Sequence, residues 1–275
     1  MNLVKILTGL KNVNGIYYTY NNSPISYPED GNDNCFILED NSFWFRHRNN
    51  CIIQVVKNFY ESNKVFLDIG GGNGFVSKNL QSEGIKTILL EPGKNGVINA
   101  KKRGVKNIIC GTLQSIKLPK KSISYAGIFD VLEHIEKETD FLKLIYEYLE
   151  DNGYLFITVP AYNFLWSRED VNAGHFRRYT IGCIGKELFN LGFKKVYSTY
   201  IFSFLPLPIF LFRTLPYKVG LRKIKNNSIK NEKDHCVSNG SWKRFLNFFL
   251  KSEFKRISNK KRIFFGGTCF VVVQK

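Results

Sequence analysis

From residue 65 onward the chain alternates between short, largely apolar runs and longer stretches whose apolar side chains recur every three or four positions. The runs at 65–68, 87–90, 107–109, 125–129 and 155–159 are bounded by turn-forming residues and lack a polar face, which predicts strands covered on both sides. Helical spacing follows at 75–83, 94–103 and 137–150. Strand and helix in alternation predict an α/β fold, a doubly wound parallel sheet with crossover helices on its two faces. Upstream, Phe45, Ile52, Ile53, Val56 and Phe59 predict a long helix over 44–60. Residues 12–42 are rich in Asn, Tyr, Pro, Asp and Gly, so the segment 1–42 is expected to be an irregular lead-in. Downstream, a helix at 181–191 stops at Gly192 and leads into a strand at 193–200, and a last strand is expected at 263–273. The main domain is therefore 43–200 with 263–275, interrupted by an insertion at 201–262.

Composition changes this picture in one place. With 275 residues, 44% of them hydrophobic and 15% aromatic, the chain can bury a full core. Its formal net charge of +17 is concentrated in the insertion, where 15 Lys or Arg face 3 Asp or Glu. Such an excess calls for an acidic partner: phosphate, nucleic acid or an anionic membrane surface. The six cysteines are scattered without a CxxC pair, so neither a zinc site nor a disulfide framework is indicated, and a reducing cytoplasm is the expected setting. The first residues lack the features of a secretory signal, and no run reaches the roughly 18 apolar residues of a spanning helix.

The strongest chemical signal is the turn Asp68-Ile69-Gly70-Gly71-Gly72-Asn73-Gly74 between the first strand of the alternation and its helix. A nucleotide-type ligand needs a turn without side chains, so that the backbone approaches closely and the helix N-terminus offers its amides. Asp68 ends the strand before the turn, and Glu91 ends the next strand, where a carboxylate can receive both ribose hydroxyls. The spacing GxGxG places Phe75 where the dinucleotide fingerprint needs its last glycine, which argues against NAD.

Taken in order, DIGGGNG, LLEPG, FDVLEHI and GYLFITVP resemble the class I S-adenosylmethionine-dependent methyltransferases over about 43–200. The resemblance implies a Rossmann-like seven-stranded sheet whose final strand is antiparallel. It assigns Gly70, Gly72 and Gly74 to the methionine and ribose portions of S-adenosylmethionine and Glu91 to the ribose, with Asp68, Asn73, Pro92, Leu113 and Asp130 along the same cleft. Gly111-Thr112-Leu113 stands where the family commonly has Gly-Asp, leaving Thr112 to meet the adenine amino group, and Ser124 stands where an Asp is frequent. Phe43-Trp44-Phe45-Arg46 and Gly174-His175-Phe176-Arg177-Arg178-Tyr179-Thr180 resemble elements of a methyltransferase subgroup. That likeness places Trp44 in the pocket wall and Arg46 near the cofactor carboxylate.

Methyl transfer from a sulfonium requires a positioned nucleophile and, for a hydroxyl or amine, a base. His134 follows the fourth strand at the rim where open sheets bind ligands, and is the first base candidate; His175 is the second. In a helix, Asp130, Glu133 and His134 would share a face at i, i+3 and i+4, a spacing compatible with a divalent metal, or would simply orient a loop; no metal is assigned. Thr180 can cap a helix, and Arg177 and Arg178 either pair with acids such as Glu169 and Asp170 or bind an anionic substrate.

The insertion opens with an uncharged run at 201–212, followed by Arg213, Lys218, Arg222, Lys223 and Lys225. Two readings stand: an interfacial anchor, or core packing with a solvated basic face. The aromatic and basic stretch at 242–256 carries the same ambiguity. No nucleic-acid recognition module is present, so the leading expectation is O-methylation of a small-molecule or lipid-linked acceptor in the cytoplasm, with an anionic membrane's inner face as a further partner; a nucleic-acid methyltransferase and a non-catalytic membrane-associated module on the same fold are the alternatives.

Overall fold

The computed structural model describes residues 10–19, 31–220 and 241–275. Its elements are β1 (Lys11–Val13), β2 (Ile16–Tyr18), α1 (Gly31–Glu39), α2 (Phe43–Lys57), β3 (Val65–Ile69), α3 (Phe75–Ser82), β4 (Lys86–Glu91), α4 (Lys94–Lys102), β5 (Ile108–Cys110), β6 (Ile123–Phe129), α5 (Glu138–Tyr148), β7 (Leu149–Pro160), α6 (Arg168–Ala173), α7 (Ile181–Asn190), β8 (Lys194–Ile201), α8 (Pro206–Ile209), α9 (Leu215–Lys218), α10 (Ser241–Ser258) and β9 (Thr268–Gln274).

The strands form one sheet in the order β1-β2-β5-β4-β3-β6-β7-β9-β8. From β5 to β7 the pairing is parallel, and β9 inserts antiparallel between β7 and β8. The seven strands of the expected fold are present with the expected antiparallel last strand. The other two, β1 and β2, extend the sheet beyond β5. They correct the expectation of an irregular lead-in, as does α1. Ile16 is buried against Val97 and Ile108, and the Asn14-Gly15 turn, both residues at positive φ, closes the hairpin. Three-residue strands are too short to show an alternation, which is why the turn-formers dominated the pattern.

Side-chain parity divides the core. Val65, Leu67 and Ile69 of β3 join Leu90, Ile128 and Ile157 under Phe141, Leu142 and Ile145 of α5 and Ile184 and Leu188 of α7. Phe66 and Phe156 point the other way, toward Ile52, Val55 and Val56 of α2 and Leu80 of α3. Ser42 caps α2, its hydroxyl accepting from the Trp44 amide at 3.2 Å. Helix α2 ends at Lys57, three residues before the expected limit.

The insertion divides between its two readings. Leu246, Leu250 and Ile257 of α10 are buried in the α2 face of the core, one stripe at helical spacing. Glu253 lies on that stripe, pairs with His47 at 2.8 Å and accepts from the Phe202 and Ser203 amides, which fixes the start of the insertion to α2. In the stretch 206–219, by contrast, Leu207, Phe212 and Val219 are exposed, while Thr214 is buried and donates to the Leu165 carbonyl. A π-helical turn, Phe210–Thr214, joins α8 to α9. Arg222, Lys223 and Lys225 lie outside the described residues. Strand β9 starts at Thr268 rather than 263: at Gly266 the chain crosses the end of β8 so closely that a Cβ would sit 2.4 Å from the Ile201 carbonyl oxygen.

Candidate active site

The carboxyl ends of β3 to β7 open on one edge of the sheet, where parallel sheets place their ligands. A single cavity of about 1400 Å³ occupies that edge. One half is walled by Trp44, Arg48, Asp68, the turn 70–73, Glu91, Pro92, Thr112, Leu113 and Asp130. The remaining wall includes Phe141, Leu144, Phe176, Leu205, Ile209 and Phe212, with Glu136, Lys137, Asp140 and Arg213 among them. Glu133, His134, Asp170 and His175 also line it.

The turn is built for close approach. Gly70 has φ 71°, and a Cβ there would meet a Val131 methyl at 2.6 Å. At Gly72, φ 52°, a Cβ would meet only the Asn32 side chain at 3.7 Å, so the missing side chain leaves open space. The Glu91 carboxylate spans the turn, one oxygen accepting from the Gly72 amide at 2.9 Å and the other from Gly93 at 2.7 Å. Asp68 accepts from the Ser77 hydroxyl at 2.6 Å. Burial pushes both acids up, Asp68 to about 6 and Glu91 to about 7, against the hydrogen bonds that hold them down. The Thr112 hydroxyl oxygen is buried with no hydrogen-bond partner. An unsatisfied polar atom on the wall of a cleft, a carboxylate at the end of β4 and a turn without side chains fit the adenine, ribose and methionine parts of S-adenosylmethionine.

Arg46, Gly74 and Ser124 lie outside the cavity wall. Arg46 is exposed and outside the cavity wall; Arg48, one turn beyond Trp44 on the same helix face, lines it instead. The Arg48 side chain pairs with Asp130 at 2.7 Å. Gly74 serves packing: with φ 74°, a Cβ there would meet Val105 and Ala100 at 2.7 and 2.8 Å. Asn73 is buried, donating to the Asn32 carbonyl at 2.7 Å and accepting from Asn99 at 3.2 Å, which fastens α1 and α4 to the turn. Ser124 sits at the far end of β6, bonded to Glu150, and takes no part in the site.

The catalytic candidates converge. Leu132–His134 forms a 3-10 turn after β6, and the Phe176 amide donates to the Glu133 carbonyl at 2.8 Å, so the two histidine segments are tied together. The imidazoles of His134 and His175 lie with centroids 4.8 Å apart. Burial, then the neighbouring His175, push His134 down to about 4. His175 Nδ1 lies 2.9 Å from Asp170 Oδ1, and Arg178 forks onto both oxygens of the same carboxylate at 2.7 and 3.0 Å. Burial opposes ionisation of Asp170, yet the bonds from His175 and Arg178 hold it at about 2. Arg178 is thereby committed to Asp170, and Arg177 to Glu138 at 3.0 Å. Thr180 caps α7, accepting from the Cys183 amide. The face Asp130, Glu133 and His134 does not form, because Asp130, at φ 56°, is held by Arg48 and Thr158. Glu133, His134 and His175 converge in its place.

A profile of the methyltransferase-domain family matches residues 44–198, more than half of the chain. The chain belongs to that family and is an S-adenosylmethionine-dependent methyltransferase. No curated protein matches the sequence. Solved structures share the fold. An S-adenosylmethionine-dependent methyltransferase from Archaeoglobus fulgidus is 21% identical, with 80% of this chain and 89% of that one covered at a TM-score of 0.51. A possible histamine N-methyltransferase from Thermotoga maritima is 18% identical, with 84% and 93% covered at 0.55. A phosphoethanolamine N-methyltransferase from Haemonchus contortus, in complex with S-adenosylmethionine, is 17% identical at 0.57, with 91% of this chain and 58% of that one covered.

Proposed function

We propose that the chain methylates a hydroxyl oxygen of a small-molecule or lipid-linked acceptor held in the part of the cavity beyond the glycine turn. The observation that carries this reading is the continuity of that cavity. Its volume of about 1400 Å³ exceeds the roughly 300–1,000 Å³ usual for a ligand site, so cofactor and a sizeable acceptor fit side by side. Away from the glycine turn the wall combines aromatic and aliphatic side chains with ionisable ones such as Glu136, Lys137, Asp140 and Arg213, which suits an acceptor with an apolar body and a polar end.

S-adenosylmethionine supplies an electrophilic methyl group. The chain's part is to bind, orient and deprotonate. Glu91 and Gly72 hold the ribose end and Thr112 the adenine end, while Trp44 and Arg48 cover the methionine end. His175 is the better base of the two histidines: Asp170 holds its Nδ1 proton and leaves Nε2 for the acceptor hydroxyl. His134, held neutral, orients the acceptor beside it.

The exposed Leu207, Phe212 and Val219, with Arg213 and Lys218 among them, support contact with an anionic membrane from which a lipid-linked acceptor would enter. The test is transfer of a labelled methyl group into a cell extract followed by solvent partition. Label recovered in the organic phase supports an apolar acceptor; label confined to nucleic acid overturns it.

A further inference from the structure

We propose that Phe264 and Phe265, with Lys261 and Arg262 behind them, form a second membrane wedge that docks the cavity mouth on an anionic phospholipid bilayer together with the segment 206–219. Phe264 is 82% exposed, more than any other large apolar side chain among the described residues, and Phe265 is nearly half exposed. A single exposed apolar residue is ordinary, but these two belong to a patch. Phe265 packs on Tyr162 with ring centroids 5.2 Å apart, Tyr162 on Phe164 at 5.3 Å, and Phe164 on Phe210 of the π-helical turn at 6.2 Å. That aromatic chain joins the two phenylalanines to the exposed Leu207, Leu211, Phe212 and Leu215.

Hydrogen bonds to β8 set the direction of the segment. The Tyr197 hydroxyl donates to the Lys261 carbonyl at 3.1 Å, the Ile263 amide to the Thr199 hydroxyl at 2.9 Å, and the Gly267 amide to the Phe202 carbonyl at 3.2 Å. The chain therefore runs along β8 toward its carboxyl end at the cavity edge, with the two basic residues behind and the phenylalanines ahead. Lys261 and Arg262 are both exposed. In such an order the rings enter the interface while the long cationic side chains reach headgroup phosphates. Both wedges run into the cavity wall, the first through Phe212 and Arg213 and the second through Gly267 and Thr268, so docking presents the cavity mouth to the bilayer.

The composition of the patch selects its partner. Neither 203–220 nor 254–275 contains an acid. Protein interfaces are depleted in lysine, and a single strand of nucleic acid would stack on the rings and leave Leu207, Leu211 and Leu215 uncovered. Anionic lipid answers both the single sign of charge and the aliphatic surface. One small apolar element holds a protein only marginally at a bilayer, so each wedge needs the other. The inference rests on the membrane contact proposed for 206–219, to which it adds the second attachment.

The test uses the full chain at low salt with vesicles of phosphatidylcholine alone or of phosphatidylcholine mixed with phosphatidylglycerol, read by co-sedimentation. We expect at least tenfold tighter binding to the mixed vesicles. Phe264→Asp, and Lys261→Glu with Arg262→Glu, should each weaken that binding at least tenfold while S-adenosylhomocysteine still binds. Equal binding to both vesicles, retention by RNA but by neither vesicle, or Phe264→Asp binding like the unsubstituted chain overturns the wedge. Should the charged variants unfold, Phe264→Trp decides: quenching by bromine-labelled acyl chains beyond that of the unsubstituted chain supports the wedge, and its absence refutes it. Binding lost in Leu207→Asp with Phe212→Asp but kept in Phe264→Asp refutes the second wedge and leaves the first. A chain that docks through Phe264 yet transfers no methyl group to the organic phase keeps the wedge and loses the lipid-linked acceptor; one that labels the organic phase without sedimenting does the reverse.

Discussion

Arg48 Nε lies 2.7 Å from Asp130 Oδ2, joining helix α2 to the end of strand β6 across the floor of the cavity. Asp130 sits at φ 56°, a left-handed conformation that Asp tolerates better than most residues, and Thr158 donates to its other oxygen at 2.9 Å. The pair therefore fixes both the cofactor-side wall and the start of the turn that carries Glu133 and His134.

Removing the guanidinium leaves the Asp130 carboxylate with the Thr158 hydroxyl but without its cation. For a fully buried pair that costs about 3–5 kcal/mol; the Asp130 side chain is 24% exposed, which puts Arg48→Met near the low end, about 3 kcal/mol. Urea denaturation of the cofactor-free protein measures the loss. Arg48→Lys should recover part of it, since the charge remains while the planar guanidinium that reaches both Asp130 and Thr158 is lost.

The two histidines should separate kinetically. His175→Ala is expected to lower kcat by roughly 100-fold or more with cofactor affinity unchanged, because Nε2 acts on the acceptor and touches no part of the cofactor pocket. His134→Ala should raise KM more than it lowers kcat. Steady-state kinetics with the acceptor found in the extract assay checks both; equal loss of kcat in the two variants would assign the proton transfer to the pair.

Glu91 makes stability and binding respond oppositely to pH. Burial raises it from 4.5 unfolded to about 7 folded, so the folded cofactor-free chain binds the proton more tightly than the unfolded one. Its stabilising contribution is complete below about 4.5 and is lost as pH rises through about 7, by at most about 3 kcal/mol. Ribose hydroxyls donate to the ionised form, so cofactor affinity should climb over the same interval. Glu91→Gln should reduce the pH dependence of both, leaving in the stability the part that Asp68, at about 6, contributes at the lower end; thermal unfolding and calorimetry at pH 5.5 and 8 read the difference.

Membrane contact predicts that the chain co-sediments with anionic liposomes at low salt and is released by high salt. Leu207→Asp with Phe212→Asp should leave the fold intact, since both side chains are exposed, and abolish sedimentation. Sedimentation unaffected by the double substitution would assign the exposed surface another role.

The sheet was legible because each buried strand from β3 to β7 contains an unbroken apolar run and each crossover helix repeats at its own period. The glycine turn and Glu91 were legible for the same reason, lying where those runs end. Arg48 was not: the motif around Trp44 drew attention to Arg46, and only the helical period, applied from Trp44 to the position four residues on, selects the residue that faces the cavity. Gly74 and Asn73 share the turn with Gly72, yet packing against Ala100, Val105, Asn32 and Asn99 sets their roles, and such distant contacts leave no local trace. The Asp170–His175 pair was hidden likewise. In the sequence Asp170 stands out only as a partner for the arginines, whereas the capping box that Ser167 builds with it places the carboxylate under the imidazole.

The measurement closest to the central claim is calorimetric titration of the full chain with S-adenosylmethionine. The account predicts saturable binding at one site, abolished in Gly72→Val, where a side chain would enter the open cradle, and in Glu91→Ala, with both variants folded. Absence of binding to the unsubstituted chain at millimolar cofactor, or binding that survives both substitutions, would contradict it.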